Sequence, residues 1–461
     1  MRRLATVATE RLIARLEHLR TGAPWRGATR AELEPILREP APEEGRDAVM
    51  VLERAVQEVL PVAARVDHPR FFAFVPSAPT WPGVIADYLA AGFNIFQGTW
   101  LGSGGPSQLE LVVIDWIRQW VGFPETGGGL FTSGGSAAIL DALVAAREQA
   151  GAPERPAIFL SDQTHSAFER AAHIIGVRRD GIVVIPSDAD YRLPPESLAQ
   201  AIAKAKQDGF NPIAVCANAG TTNTGAVDPL TEIAAICAEA KTWLHVDAAY
   251  GGFAVICERG KRLLESIERA DSISLDAHKW LFQPFEAGCV LVRDIATLVR
   301  AFSVNPDYLQ DTKLGLEQVN FADRGYQLTR SFRALKVWMS IQTFGLARFR
   351  EAIERAMEFS DKAGALVTKT DGLELLSPPK LGVLCFRFRP AGAAWTPDQV
   401  EKLNEAIQAR VIESGIAMIS STRLRGIYSL RLCIMSHQTV WDDVRETIEG
   451  IAAYGKELAR N

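Results

Sequence analysis

Apolar residues change rhythm three times along this chain. Over residues 1–70 they recur at helical spacing, as in Arg11-Leu-Ile-Ala-Arg-Leu16, but Gly22-Ala-Pro-Trp-Arg-Gly27 and Arg38-Glu-Pro-Ala-Pro-Glu-Glu44 interrupt them. Helices that short cannot enclose a core of their own, so residues 1–75 are expected to form a helical segment that packs on a partner subunit. From 76 to 345 short apolar runs alternate with helix-like stretches such as Pro229–Ala240. The runs are Ala157–Leu160, Ile182–Ile185, Ile213–Ala217, Trp243–Val246, Ser272–Leu275 and Gly288–Val292. That alternation predicts a large α/β domain with a mainly parallel sheet. A long amphipathic stretch from Ser331 to about Gly372 leads to Leu381–Phe388, helix-like 397–414 and Ser429–Ile434. Residues 346–461 are therefore expected to form a small α+β domain.

Composition narrows the class. The chain has 461 residues, 48% hydrophobic and 23% charged, enough for a large core with smaller units beside it. A net charge of −5 provides no basic stripe for nucleic acid and no electrostatic pull towards a membrane. No apolar run reaches membrane-spanning length. The six cysteines (216, 237, 257, 289, 385 and 433) form no Cys-x-x-Cys pair, and four lie in apolar runs. They read as buried thiols of a reducing compartment, with no zinc site expected. The N-terminus acquires charges before any signal core develops, so the expected location is the cytoplasm.

The chemistry lies where strand-like runs end. His245-Val-Asp-Ala-Ala-Tyr-Gly-Gly252 precedes Ser272-Ile-Ser-Leu-Asp-Ala-His-Lys-Trp280, and 32 positions separate Asp247 from Lys279. That is about one crossover unit, which can bring an acid and an amine to neighbouring strand ends. The pair suits pyridoxal phosphate: the amine condenses with the aldehyde and the acid keeps the ring nitrogen protonated. A capping Asp and an exposed Lys would share the spacing. Gly127-Gly-Gly-Leu-Phe-Thr-Ser-Gly-Gly-Ser136 opens an Ala-rich helix, whose amides and positive dipole end make a phosphate cradle. Neither a dinucleotide Gly-x-Gly-x-x-Gly unit nor a Walker loop is present. His165, in Ser161-Asp-Gln-Thr-His-Ser166, follows a strand-like run and can stack on a planar ring, although a lone loop His is more often structural. His173 reads as structural. Ala219-Gly-Thr-Thr-Asn-Thr-Gly-Ala226 follows another run, where threonine hydroxyls can flank a ring or simply make a turn.

Together these segments resemble the group II pyridoxal-phosphate-dependent amino-acid decarboxylases, the family of aromatic-L-amino-acid decarboxylase. The resemblance extends over nearly the full length. It includes His68-Pro-Arg-Phe-Phe-Ala-Phe-Val-Pro-Ser77, Leu109-Glu-Leu-Val-Val-Ile-Asp-Trp116, Asp162-Gln-Thr-His165, Trp243-Leu-His-Val-Asp-Ala-Ala-Tyr250, Asp276-Ala-His-Lys-Trp280 and Ser331-Phe-Arg-Ala-Leu-Lys-Val-Trp338. It implies fold type I, with a mainly parallel seven-stranded sheet, and a homodimer whose active site lies at the subunit interface. By the same resemblance Lys279 is the Schiff-base lysine, Asp247 partners the pyridine nitrogen and His165 stacks on the ring. Gly135, Ser136 and His278 fall at the phosphate, while Thr222 and Ala249 line the ring. The Phe71–Ser77 and Phe96–Trp100 segments would supply the substrate pocket, with Phe74, Pro76, Phe96 and Trp100 as its candidates. Their aromatic character favours an aromatic side chain over an acidic one, for which Arg70 is the obvious basic residue. Tryptophan, phenylalanine, tyrosine and their hydroxylated forms all remain open.

The polar segment Gln310–Tyr326 is the candidate for a mobile loop that closes the site and supplies the proton for the α-carbon. Counting back from Arg330-Ser-Phe-Arg-Ala-Leu-Lys336, the family's catalytic tyrosine position holds Phe321. In relatives that exchange accompanies oxidative decarboxylation–deamination to an aldehyde, ammonia and peroxide. Tyr326, Tyr308 or His165 could instead supply the proton. The expected activity is decarboxylation to an amine and CO2, with an aromatic acetaldehyde synthase and a decarboxylase of an acidic amino acid as alternatives.

Overall fold

A computed structural model of the chain describes residues 1–75, 78–304, 318–391 and 395–460. Pro76 and Tyr308 lie outside the described residues. The chain divides into two compact units, one of Met1–Pro76, Ala363–Leu376 and Cys385–Asn461, the other of Ser77–Lys362 and Ser377–Leu384.

The larger unit carries a seven-stranded sheet in the order β1-β7-β6-β5-β4-β2-β3. Its strands are β1 (Gly128–Thr132), β2 (Pro156–Ser161), β3 (Ile182–Ile185), β4 (Asn211–Asn218), β5 (Trp243–Asp247), β6 (Ser272–Asp276) and β7 (Gly288–Val292). β3, β2, β4, β5 and β6 run parallel, and β7 runs antiparallel to both β6 and β1. Every residue of β1, β2, β6 and β7 is buried, and β2 and β7 accordingly read as largely apolar runs without alternation. The helix Gly135–Gln149 buries Ala138, Ile139, Ala142, Leu143, Ala145 and Ala146 in the core cluster that includes Leu130, Ile158 and Val290. Its alanines suit a close approach to the sheet.

Register decides what meets at the sheet's edge. Asn218 of β4 pairs with Asp247, Asp247 with Ser274, and Gly288 pairs with both Asp276 and Thr132. One edge therefore collects the ends of β1, β4, β5 and β6. Ligand sites of open α/β sheets form at such an edge.

The smaller unit holds β10 (Ser420–Leu424) and β11 (Ile427–Cys433), joined by a two-residue turn in which Arg425 and Gly426 have φ of 51° and 82°. Both left-handed positions match the twist of a tight hairpin. These strands belong to a sheet of order β10-β11-β9-β8, where β8 is Leu373–Lys380 and β9 is Val383–Phe388. The N-terminal segment belongs to this same unit. Phe71 bridges to Met418, Cys433 N–H donates to Phe72 O (2.9 Å), and Arg20 pairs with Asp443 (3.1 Å). The two chain ends thus share one unit, where the sequence pattern separated residues 1–75 from 346–461. The expected division at 345 falls inside the helix Ala334–Lys369, which is kinked at Gly345, and the units part at 362.

Candidate active site

Asp247 ends β5 with its Oδ1 accepting from Ser274 Oγ (3.1 Å) and from Ala249 N–H (3.2 Å). Behind it runs a chain of hydrogen bonds. Trp243 Nε1 meets Ser272 Oγ (2.7 Å), Ser272 Oγ meets His245 Nδ1 (2.9 Å), and His245 Nε2 meets Ser274 Oγ (3.3 Å). An indole N–H can only donate and a carboxylate can only accept, so every proton in the chain points towards Asp247. Burial pushes the His245 imidazole down to about 4, the Asp247 charge opposing it, so the ring is neutral at pH 7 with its proton on Nε2. Sequence reasoning treated the His245 stretch only as a flank of Asp247. Its alternation of His, Ser and Asp across two paired strands was the available signal.

The short helix Ala277–Trp280 follows β6 directly and carries His278 and Lys279. Lys279 Nζ lies 2.8 Å from Asp276 Oδ2, and His278 Nε2 lies 3.6 Å from the same oxygen. His278 Nδ1 accepts from Ala287 N–H (3.2 Å), which leaves the proton on Nε2, and burial lowers the imidazole below the ordinary histidine value. Asp276 is the residue sequence reasoning missed, though it stands three positions before Lys279 in the motif that drew attention. It is 3% exposed, and its Oδ1 has no hydrogen-bond partner among the described residues.

Across from it begins the helix Gly135–Gln149, whose N-cap Gly134 provides no side-chain cap. Gly134 has φ of 154°, and β7 passes so close that a Cβ on Gly288 would stand 2.4 Å from its Cα. A Cβ on Gly135 would stand 3.2 Å from Ala249 Cβ and 3.3 Å from Asp276 Oδ2. The first amides of this helix, Ala249, Asp276 and the His278–Lys279 turn are thereby brought together. Ser136 beside them is exposed.

His165 is exposed at the head of the helix Ser166–Ile174, where its Nδ1 accepts from Ala167 N–H (3.2 Å), so its Nε2 carries the proton. Its loop is tied to the 219–226 loop: Asn223 Nδ2 donates to Gln163 Oε1 (3.2 Å), and Asn218 Nδ2 reaches Thr164 Oγ1 (3.4 Å). Thr222 is partly buried in that second loop.

The expected lid segment is described only in part. Residues 310–317 lie outside the described residues. Phe321 is completely buried in the core cluster, with the guanidinium groups of Arg324 and Arg330 over its ring at 5.4 and 4.8 Å. The side chain of Phe321 thus packs the core among the described residues. Tyr326 is half exposed, with its backbone N–H donated to Asp141 (3.2 Å). The same stretch is laced to the Phe96–Trp100 segment: Trp100 N–H donates to Asn320 Oδ1 (2.9 Å), Ala322 N–H to Gly98 O (2.9 Å) and Gln97 N–H to Arg330 O (3.0 Å). Phe96 and Trp100 are partly accessible. In the smaller unit Phe74 is 64% exposed at φ of 55°, while Phe71 and Phe72 are buried core residues.

The residue set fits pyridoxal phosphate. There is an amine for its aldehyde, a carboxylate with Oδ2 left for its ring nitrogen, and uncapped helix amides with a neutral imidazole for its phosphate.

The comparisons agree with that fit. Residues 31–389 match the pyridoxal-dependent decarboxylase conserved domain. An aromatic-L-amino-acid decarboxylase of Bacillus atrophaeus is 37% identical over 100% of this chain and 96% of its own. A phenylacetaldehyde synthase of Petunia hybrida is 31% identical over 87% of this chain and 83% of its own. Among solved structures, Oryza sativa TDC with PLP and tryptamine aligns with a TM-score of 0.93 at 30% identity, covering 99% of this chain and 97% of that one. The chain belongs to the pyridoxal-dependent decarboxylase family and is a pyridoxal-phosphate-dependent carboxy-lyase of fold type I acting on amino acids.

Proposed function

We propose that this enzyme converts an aromatic L-amino acid to its amine and CO2. The observation that carries the aromatic reading is the match to the Bacillus atrophaeus decarboxylase along the whole chain. The aromatic segment Phe96–Trp100 is in keeping with it. Arg70, the basic residue available for an acidic side chain, faces Glu446 at 3.8 Å.

In this reading Lys279 holds the cofactor's aldehyde carbon, Asp247 its ring nitrogen, and Gly135, Ser136 and His278 its phosphate. Thr222 and Ala249 flank the ring. The bound cofactor supplies the electron sink for the pair released as CO2 leaves. Asp247, fed by the chain from Trp243, acts as a fixed acceptor and keeps the proton on the ring nitrogen. His165 presents Nε2–H from a helix N-cap, which suits it to lie over the ring and hold a carboxylate or return a proton to the α-carbon. Tyr326 is the second candidate donor. The aldehyde-forming alternative rests on Phe321 and on the match to the Petunia hybrida phenylacetaldehyde synthase, and the longer and more identical match to the aromatic-L-amino-acid decarboxylase favours the amine.

The apolar side chains exposed on the N-terminal helices, among them Leu12, Ile13, Met50, Val51 and Leu60, support a homodimer that covers them. Among the described residues no helix is long and apolar enough to cross a membrane.

The test is aerobic incubation of the cofactor-loaded enzyme with each common amino acid, with products identified by mass spectrometry. Amine from an aromatic substrate is expected. Aldehyde with matching ammonia and peroxide would overturn the amine product, and turnover of glutamate or aspartate alone would overturn the aromatic substrate.

A further inference from the structure

We propose that Asp276 couples cofactor capture to protonation: its carboxylate takes up one proton from solvent when the cofactor's phosphate settles at the N-terminus of the helix Gly135–Gln149. The proposal rests on the phosphate and Lys279 assignments made above.

The geometry puts an acid where an anion must bind. Asp276 closes β6, with its backbone N–H donated to Ala249 O (3.2 Å). Both its oxygens face Gly135, at 3.3 and 3.7 Å from where a Cβ would stand. Oδ2 lies near Lys279, while the buried Oδ1 has no partner among the described residues. Among the described residues the groups facing it are few. Its own turn supplies Lys279 and the neutral His278. The helix Gly135–Gln149 brings no charged side chain in its first turn. β5 supplies Asp247, bonded to Ser274 and Ala249 N–H, and β7 supplies the Cys289 thiol, which burial pushes up and keeps protonated.

A phosphate ester brings a charge of about −1.5 to −2 to that place. Like charges sharing a buried site cannot both remain ionised. Lys279 is the one cation on Asp276's own turn, and its amine is consumed as it bonds to the aldehyde carbon, the carbonyl oxygen leaving as water. A proton from solvent on Asp276 removes the repulsion and turns Oδ1 into a hydrogen-bond donor for the phosphate. Cofactor affinity should then fall as pH rises, because the bound state holds a proton that the free enzyme lacks.

The experiment titrates the full-length apoenzyme with pyridoxal phosphate between about pH 6.5 and 8.5, as wild type and as Asp276→Asn. The affinity advantage of the Asn variant should grow by roughly tenfold per pH unit. Calorimetry in two buffers of different ionisation enthalpy should show about one more proton taken up by the wild type. Phosphorus NMR of the holoenzyme should show a phosphate that does not titrate. In the wild type alone, pyridoxal, which lacks the phosphate, should give no such proton uptake, a check that stands even if the variant fails to fold. Parallel pH curves, a titrating phosphorus signal, or equal uptake with pyridoxal would overturn the proposal. Mere loss of the Asp276–Lys279 pair would instead shrink the variant's advantage as pH rises. Borohydride trapping separates the two layers: no adduct on Lys279 would overturn the site assignment itself.

Discussion

The edge of the large sheet and the strap of residues 318–330 are both polar stretches of the same unit, and they use their polar groups in opposite ways. At the sheet edge valences stay open. Asp276 Oδ1 has no partner among the described residues, the helix Gly135–Gln149 begins without a side-chain cap, and His165 turns an N–H outward. In the strap most are spent on the fold, although Arg330 Nε and Glu110 Oε2 also have no partner among the described residues. Arg330 pairs with Glu110 (2.5 Å), both fully buried, and donates to Gln97 O (3.0 Å) and Phe131 O (2.7 Å). Phe131 stands three residues before the Gly134–Gly135 turn, so the strap braces the cradle without belonging to it. An open valence beside a helix N-terminus and an amine marks chemistry, whereas one enclosed in a fully buried ion pair belongs to architecture, a distinction that counting along a sequence does not make.

Replacing residues on the two sides should therefore damage different properties. Lys279→Ala should abolish turnover, by on the order of 10³-fold or more, and stop covalent retention of the cofactor. Its thermal unfolding should change far less than its activity, because the lysine side chain keeps some exposure at the sheet edge. Steady-state rates and melting curves on the same sample decide it. An enzyme that kept most of its activity would move the reacting amine elsewhere and dissolve the contrast.

How much was legible follows the same line. The strand runs over 182–185 and 288–292 coincide with β3 and β7; β7 is buried on both faces, which leaves an unbroken apolar stretch, whereas β3 is a partly buried edge strand. β1 escaped because Gly127-Gly-Gly reads as a turn. Yet a Cβ on Gly129 would stand 2.0 Å from Val290 O, so glycine is there for close strand packing. β8 escaped because Pro378 and Pro379 break its pattern, which only an edge strand tolerates. The Asp247 and Lys279 motifs were readable because one crossover separates them. Asp276 and the His245 chain were not, since their meaning lies in cross-strand register. The burial of Phe321 was hidden for a related reason: its number in the loop said nothing of the two arginines over its ring.

On the architectural side, Phe321→Ala should cost about 3–5 kcal/mol of stability, the usual loss for emptying a buried phenylalanine site. Glu110→Gln leaves the Arg330 charge buried without its counter-ion and should cost a similar amount. Denaturant melts give both numbers. For either variant, the rate per folded molecule at saturating substrate should change far less than with Lys279→Ala. A Phe321→Ala protein of undiminished stability, but altered product, would return this residue to the chemistry and break the comparison from the other side.

The smallest effect expected is also the one that tests where strap and cradle touch. Asp141 lies on the helix Gly135–Gln149 and accepts the Tyr326 N–H. Burial pushes its carboxyl up to about 7, and the Tyr326 hydrogen bond and the Arg330 charge only partly offset this. An unfolded aspartate titrates near about 3.9. Between those values the folded chain keeps a proton that the unfolded chain has released, so the contribution is fully present below about pH 4 and is lost as pH rises through 7. Asp141→Asn preserves an acceptor for Tyr326 and removes the titration. The variant should therefore be more stable than wild type at about pH 8, by on the order of 2 kcal/mol, with the difference vanishing near about pH 4. Urea melts across that range measure it. Parallel curves would mean that water or a counter-charge already serves Asp141, and that the strap leaves open a valence assigned here to the fold.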